Sequence, residues 1–167
     1  MGEPSILSTK QGRKIAYHRS EGQGPCVVFL GGLKSDMQGT KAVFLEDWAR
    51  AEGRSFLRFD YSGHGESSGD FTEGCIGDWA EDTAEAVAAL TDGPIIPVGS
   101  SMGGWQALLL ARSIPERIAG MVVRLLEHSS GADMQLRLVK GADHRFSDGP
   151  CLEMLLGALG EVLAANR

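Results

Sequence analysis

At 167 residues, with 43% hydrophobic and 23% charged content, the chain has the composition of one ordinary globular domain, residues 1–167. Its formal net charge of −6 argues against nucleic acid and anionic membrane surfaces as partners and does not choose among small molecules. No apolar run approaches the length that spans a bilayer, and Met1-Gly2-Glu3-Pro4-Ser5 lacks the basic and apolar regions of a secretory leader. The three cysteines, Cys26, Cys75 and Cys151, are far apart and in no CxxC, which predicts reduced thiols in a cytoplasmic protein. The four histidines, His18, His64, His128 and His144, show no metal-ligand spacing.

In chain order, Ser5 to Ser8 and Lys14 to His18, separated by Lys10-Gln11-Gly12-Arg13, predict a hairpin. Cys26-Val27-Val28-Phe29-Leu30 is continuously apolar, as a strand buried on both faces of a parallel sheet must be, and Gly31-Gly32 ends it. Val43, Phe44, Trp48 and Ala49 share one face of a helix that stops at Gly53. Ser55 to Asp60 reads as the next strand. Ile76 to Leu90 reads as a helix, with Ile76, Trp79, Ala80, Thr83, Val87 and Leu90 at helical spacing and Gly93-Pro94 as its end. Ile95 to Gly99 is a strand, Met102 to Ser113 a helix, and Ile118 to Val123 a further strand. Met134 to Lys140 alternates as a strand near the sheet edge does, and Cys151 to Ala165 is a closing amphipathic helix. Strands alternating with helices predict an α/β fold with a mostly parallel sheet.

The chemistry gathers at Gly99-Ser100-Ser101-Met102-Gly103, where a strand turns sharply into a helix with Ser101 at the apex. Gly99 and Gly103 flank the serine at two residues on each side, because strand and helix cross too closely for a Cβ. The Ser101 hydroxyl should then stand clear of the sheet edge as a nucleophile. A serine nucleophile needs donors for the oxyanion. The backbone N–H of Met102 is one candidate, and that of Leu33, in the turn Gly31-Gly32-Leu33, is the other; both turns open at carboxyl ends of strands. The simpler reading of the two glycines is a strand-ending turn. His144, between the Met134 strand and the last helix, is the base candidate. His64, in Asp60-Tyr61-Ser62-Gly63-His64-Gly65-Glu66-Ser67, is the rival and is assigned to packing of a glycine-rich loop near the site; His18 and His128 are expected to face solvent. No G-x-G-x-x-G follows the first parallel strand, which disfavours a nicotinamide-binding fold.

With Gly31-Gly32-Leu33, Asp60-x-x-Gly63-His64-Gly65-x-Ser67, Gly99-x-Ser101-x-Gly103-Gly104 and Asp143-His144, nearly the whole chain resembles the α/β-hydrolase superfamily. The segments Phe29–Met37 and Val139–Ser147 are similar to one subgroup. These are small serine esterases and thioesterases related to palmitoyl-protein thioesterase and acyl-glucuronide esterase, with their bacterial homologues. The resemblance implies hydrolysis of a carboxylic ester or thioester through an acyl-serine, with no cofactor and a small-molecule acyl substrate.

Members of this superfamily orient the histidine with an acid. Here Ser101 and His144 stand only 43 positions apart, and Arg124 to Asp133 leaves room for a short crossover only. One strand–helix unit, the usual acid loop and any cap domain are therefore expected to be missing, as after an internal deletion; the fold class is a reduced, capless α/β-hydrolase fold. Glu127 is the candidate substitute acid, with a solvated helix carboxylate as the competing reading. Asp133 suits a turn or strand start, and Asp143 adjoins His144 too closely to orient it. A Ser–His dyad retaining partial activity, or an inactive scaffold that self-associates through an exposed sheet edge, are the remaining outcomes.

Overall fold

The computed structural model describes residues 2–123 and 149–165. The expected hairpin forms from β1 (Ser5–Ser8) and β2 (Lys14–Ser20), with Ser8 opposite Lys14. β3 (Gln23–Leu30), helix α1 (Thr40–Ala51) and β4 (Arg54–Phe59) follow. Then come α2 (Ile76–Leu90), β5 (Ile95–Gly99), α3 (Met102–Ser113), β6 (Val122–Val123) and α4 (Gly149–Ala164). Among the described residues, six strands form one sheet in the order β1-β2-β4-β3-β5-β6. β2 runs antiparallel to both of its neighbours, β1 and β4, and β4, β3, β5 and β6 run parallel.

Cys26 to Leu30 of β3 and Ile95 to Val98 of β5 are apolar because helices cover both faces. Side chains alternate between the two sides of a strand. In β3, Val28 and Leu30 pack with Leu57, Trp79, Val87, Ala107 and Leu110 beneath α2 and α3. Val27 and Phe29 face the other way, toward Ala42, Leu45, Ala49, Ile96 and Leu159 beneath α1 and α4. Among the described residues the connections that leave this sheet carry no inserted cap domain.

α2, β5 and α3 occupy the predicted residues; β2, β4 and α4 differ from the expected bounds by one or two residues, and three larger differences stand out. β3 starts at Gln23, earlier than expected, because Gln23 pairs with Arg54 ahead of a register shift before Val27. The predicted strand from Ile118 to Val123 is broken. A single 3₁₀ turn, Pro115–Arg117, leads into a lone bridge between Ile118 and Ile95, and regular pairing resumes only at Val122. The chain bends at Ala119, next to Gly120, a residue that disfavours strand continuity. The buried stripe of α1 is Ala42, Leu45, Glu46 and Ala49, with Val43, Phe44 and Trp48 only half-buried. Glu46 can lie inside because Arg58 of β4 meets it at 2.7 Å.

The expected crossover from Arg124 to Asp133 and the strand from Met134 to Lys140 lie outside the described residues.

Candidate active site

β3 and β5 are neighbours, and Leu30 pairs with Gly99. The two chains therefore leave the sheet side by side at their carboxyl ends. Beyond Leu30 comes the Gly31–Gly32–Leu33 turn; beyond Gly99 come Ser100 and Ser101.

Ser101 has φ 55° and ψ −119°, a backbone conformation costing a non-glycine residue about 1–3 kcal/mol. The surroundings hold it there. Ser100 N–H donates to the Leu30 carbonyl at 3.0 Å, and the Ser100 and Ser101 carbonyls accept from Gly103 and Gly104 N–H at 2.9 and 2.8 Å. The two flanking glycines are required by space. A Cβ on Gly99 would lie 2.5 Å from the Gly103 carbonyl oxygen, and one on Gly103 would run into the Leu30 carbonyl. The serine thus sits at the apex of a cramped strand-to-helix turn.

The turn after β3 packs directly against it. A Cβ on Gly32 would be 3.4 Å from both the Ser101 Cβ and the Ser100 carbonyl oxygen. Leu33 follows with an exposed side chain, and Met102 opens α3. The structure therefore brings Leu33, Ser101 and Met102 to one sheet edge. Ser101, Gly32, Leu33, Ser100, Lys41 and Phe29 line a cavity of about 300 Å³. His144 and Glu127, like Asp133, Asp143 and His128, lie outside the described residues.

The residues beyond β4 brace the Gly31–Leu33 turn from behind. Tyr61 Oη donates to the Gly31 carbonyl at 3.2 Å, and burial pushes this phenol far above its ordinary range. The buried Asp60 carboxylate accepts Met37 N–H at 2.6 Å and Glu66 N–H at 2.9 Å, joining the two loops. Burial raises its pKa, and these two bonds offset that only in part. His64 behaves as the sequence suggested. It is 4% exposed and packs edge-on against Tyr61, Phe71 and Trp79, with Nδ1 3.2 Å from the Ser62 carbonyl.

His18, expected to face solvent, is instead half-buried in β2 beside Arg58. Its pKa is lowered by burial and by the Arg58 charge. Cys26 and Cys75 are free thiols; burial pushes Cys26 up to about 12. At the site itself, the sequence reading did not anticipate the bonds from Tyr61 to Gly31 and from Lys41 Nζ to Ser100 Oγ at 2.5 Å. No local pattern announces either, since the partners are 30 and 59 positions apart.

The model of the alpha/beta hydrolase fold family matches residues 25–146. The chain belongs to the α/β-hydrolase family. It is 38% identical over 118 residues to the rat protein named palmitoyl-protein thioesterase ABHD10, mitochondrial, a match covering 71% of this chain and 40% of that protein. Among solved structures, mouse alpha/beta hydrolase domain-containing protein 10 superposes with a TM-score of 0.71 at 37% identity, over 73% of this chain and 49% of that one. A putative hydrolase from Agrobacterium vitis S4 superposes with a TM-score of 0.67 at 37% identity, over 72% and 51%. The chain thus spans about 40% of the length of the curated relatives it matches, which fits the shortening between Ser101 and His144. Among the described residues no helix is long and apolar enough to cross a membrane.

Proposed function

We propose that this α/β-hydrolase is a serine hydrolase cleaving carboxylic esters or thioesters of short to medium acyl chains through an acyl-serine. The observation that carries the reading is the strained Ser101 backbone at an apex against which the Gly32 turn is packed. Strain held by so many contacts is characteristic of a functional turn.

In this mechanism the Ser101 oxygen attacks the acyl carbonyl carbon while His144 accepts the hydroxyl proton. The negative oxygen of the tetrahedral intermediate is met by the N–H groups of Leu33 and Met102. Collapse expels the alcohol or thiol, which takes the proton from His144. Water then attacks the acyl-serine, His144 accepts its proton and returns it to Ser101, and the carboxylic acid leaves. Glu127 is the proposed acid orienting His144. Each step balances with water as the one co-reactant, so no cofactor enters. The cavity beside Ser101 offers room for an acyl group at the attacking hydroxyl. The name thioesterase carried by the curated relatives supports a thioester among the substrates. Those relatives are named as mitochondrial, so the cytoplasmic site inferred from the cysteines stays part of the proposal.

A second reading is motivated by the short Arg124–Asp133 connection between Ser101 and His144. In it the protein is a catalytically weak or inactive scaffold that binds acyl ligands or self-associates through a sheet edge.

Incubation with p-nitrophenyl acetate and butyrate, beside Ser101→Ala, separates the two. The hydrolase reading expects turnover that disappears in the variant and stoichiometric fluorophosphonate labelling at Ser101. Equal rates for both proteins, with no labelling, would leave the scaffold.

A further inference from the structure

A third element reaches the cavity beside Ser101. Lys41 is the second residue of α1, and its side chain lines the cavity together with Ser101. Its ammonium donates to Ser100 Oγ at 2.5 Å. Ser100 directly precedes Ser101, and its other polar groups are also engaged: its N–H reaches the Leu30 carbonyl and its carbonyl accepts from Gly103. The residue before the apex is therefore tied to β3, to α3 and, through its side chain alone, to α1.

The three ties differ in kind. The two backbone bonds belong to any strand–turn–helix of this shape. The Lys41 bond is the one made by side chains, and it is charge-assisted, hence shorter and stronger than a neutral hydrogen bond. Ser100 has an ordinary serine's rotatable χ1, and nothing in the backbone path requires a hydroxyl at this position. A cation drawn from a separate helix onto the residue next to the apex reads as a device for fixing direction.

We propose that Lys41 is a positioning residue for the hydrolysis assigned to Ser101: acting through Ser100 Oγ, it fixes the direction in which the Ser101 hydroxyl leaves the turn. The inference rests on the serine-hydrolase reading and deepens it. An attacking atom must meet its carbonyl within a narrow range of distance and angle, and a shift of about 1 Å costs up to about 100-fold in rate. Removing the tie therefore lowers the chemical step and leaves the acyl pocket open to substrate.

The test is a double-mutant cycle on p-nitrophenyl butyrate hydrolysis, with Lys41→Met, Ser100→Ala and the pair combined. Each single change is expected to lower kcat about tenfold or more with KM within about twofold. The combined variant should be no slower than the worse single one, because both remove the same bond. Lys41→Arg, which can still donate a charged hydrogen bond, should restore part of kcat. The rate of fluorophosphonate labelling at Ser101 should follow kcat across the series, and circular dichroism melts identify any variant that fails to fold. Ser100→Ala, which only trims a hydroxyl, keeps the cycle readable if Lys41→Met unfolds.

Wild-type kcat in Lys41→Met, or losses that multiply in the combined variant, would overturn the inference while Ser101-dependent turnover still stood. Absence of any Ser101-dependent turnover or labelling in the wild type would instead overturn the hydrolase reading, and the positioning role with it.

Discussion

Two turns leave the same edge of the sheet, and each contains a non-glycine residue at φ 55°: Ser101 after β5 and Lys34 after β3. They are held in opposite ways. Around Ser101 the constraint is backbone against backbone, with Gly99, Gly103 and the Leu30 carbonyl in closest approach. Around Lys34 the constraint is side chains. Asp60 accepts Met37 N–H, Tyr61 Oη holds the Gly31 carbonyl, and the Lys34 ammonium lies 4.8 Å from the centre of the Phe71 ring. The backbone of the first turn is rigid because its closest neighbours are themselves backbone, and the Lys41 bond to Ser100 Oγ adds a side-chain tie. The second is adjustable, and its stiffness depends on an ionisable group. A site assembled from both has one fixed half and one tunable half.

The largest expected effect breaks the fixed half. Gly103→Ala puts a methyl group into the Leu30 carbonyl, backbone that cannot swing aside. The cost should be at least about 3 kcal/mol, a large part of the stability of a domain this size. A urea melt should show it, and an unchanged midpoint would mean that strand and helix are farther apart than described. Next comes the tunable half. Asp60→Ala orphans the N–H groups of Met37 and Glu66, at about 1–3 kcal/mol for each buried donor. This loss should depend on pH. Burial raises the folded pKa of Asp60 above its unfolded value, despite the bonds from Glu66 and Met37. The folded state therefore binds the proton more tightly. The contribution of Asp60 to stability is fully present below the unfolded value, about 3.9, and declines as pH rises through the folded one. The destabilisation by Asp60→Ala should accordingly be greatest in acid and shrink toward neutrality. The corresponding pH series on Gly103→Ala should be flat, and a slope there would erase the distinction between the halves.

The fixed half was the more legible from sequence. Gly99, Ser101 and Gly103 lie within five residues, and the apolar runs of β3 and β5 already imply adjacent strands that end together. α2 and α3 were readable for a similar reason, since helical periodicity and the Gly93-Pro94 stop are local signals. The tunable half depends on distant partners. Asp60 reaches back 23 positions to Met37, and Tyr61 reaches back 30 to Gly31. The same limit hid the buried carboxylates. Glu46 and Asp82 lie inside because Arg58 and Arg13 reach them from other elements, 12 and 69 positions away. The strand expected over Ile118 to Val123 is shorter in the structure, since an apolar run does not reveal where the chain bends.

Smaller effects sharpen the comparison by relieving strain in each turn. Ser101→Gly should raise stability by about 1 kcal/mol, since glycine adopts this backbone freely, while hydrolysis is lost with the hydroxyl. That gain, seen as a higher melting temperature, would mark the strain as a cost kept for function. A lower melting temperature would mean that the Ser101 side chain stabilises more than its backbone strains.

Lys34→Gly relieves the same φ and should gain much less, because the contact over Phe71 disappears with the side chain. A cation over an aromatic face at an exposed site contributes about 0.5–1 kcal/mol, nearly the size of the relief. The net change in stability should therefore stay within about 0.5 kcal/mol of zero. Lys34→Ala separates the two contributions, since it keeps the strain and loses the contact, and it should be the less stable of the pair. If Lys34→Gly were instead as stabilising as Ser101→Gly, the Phe71 contact would contribute nothing. The stiffness of the turn after β3 would then come from Asp60 and Tyr61, with nothing added by the Lys34 side chain.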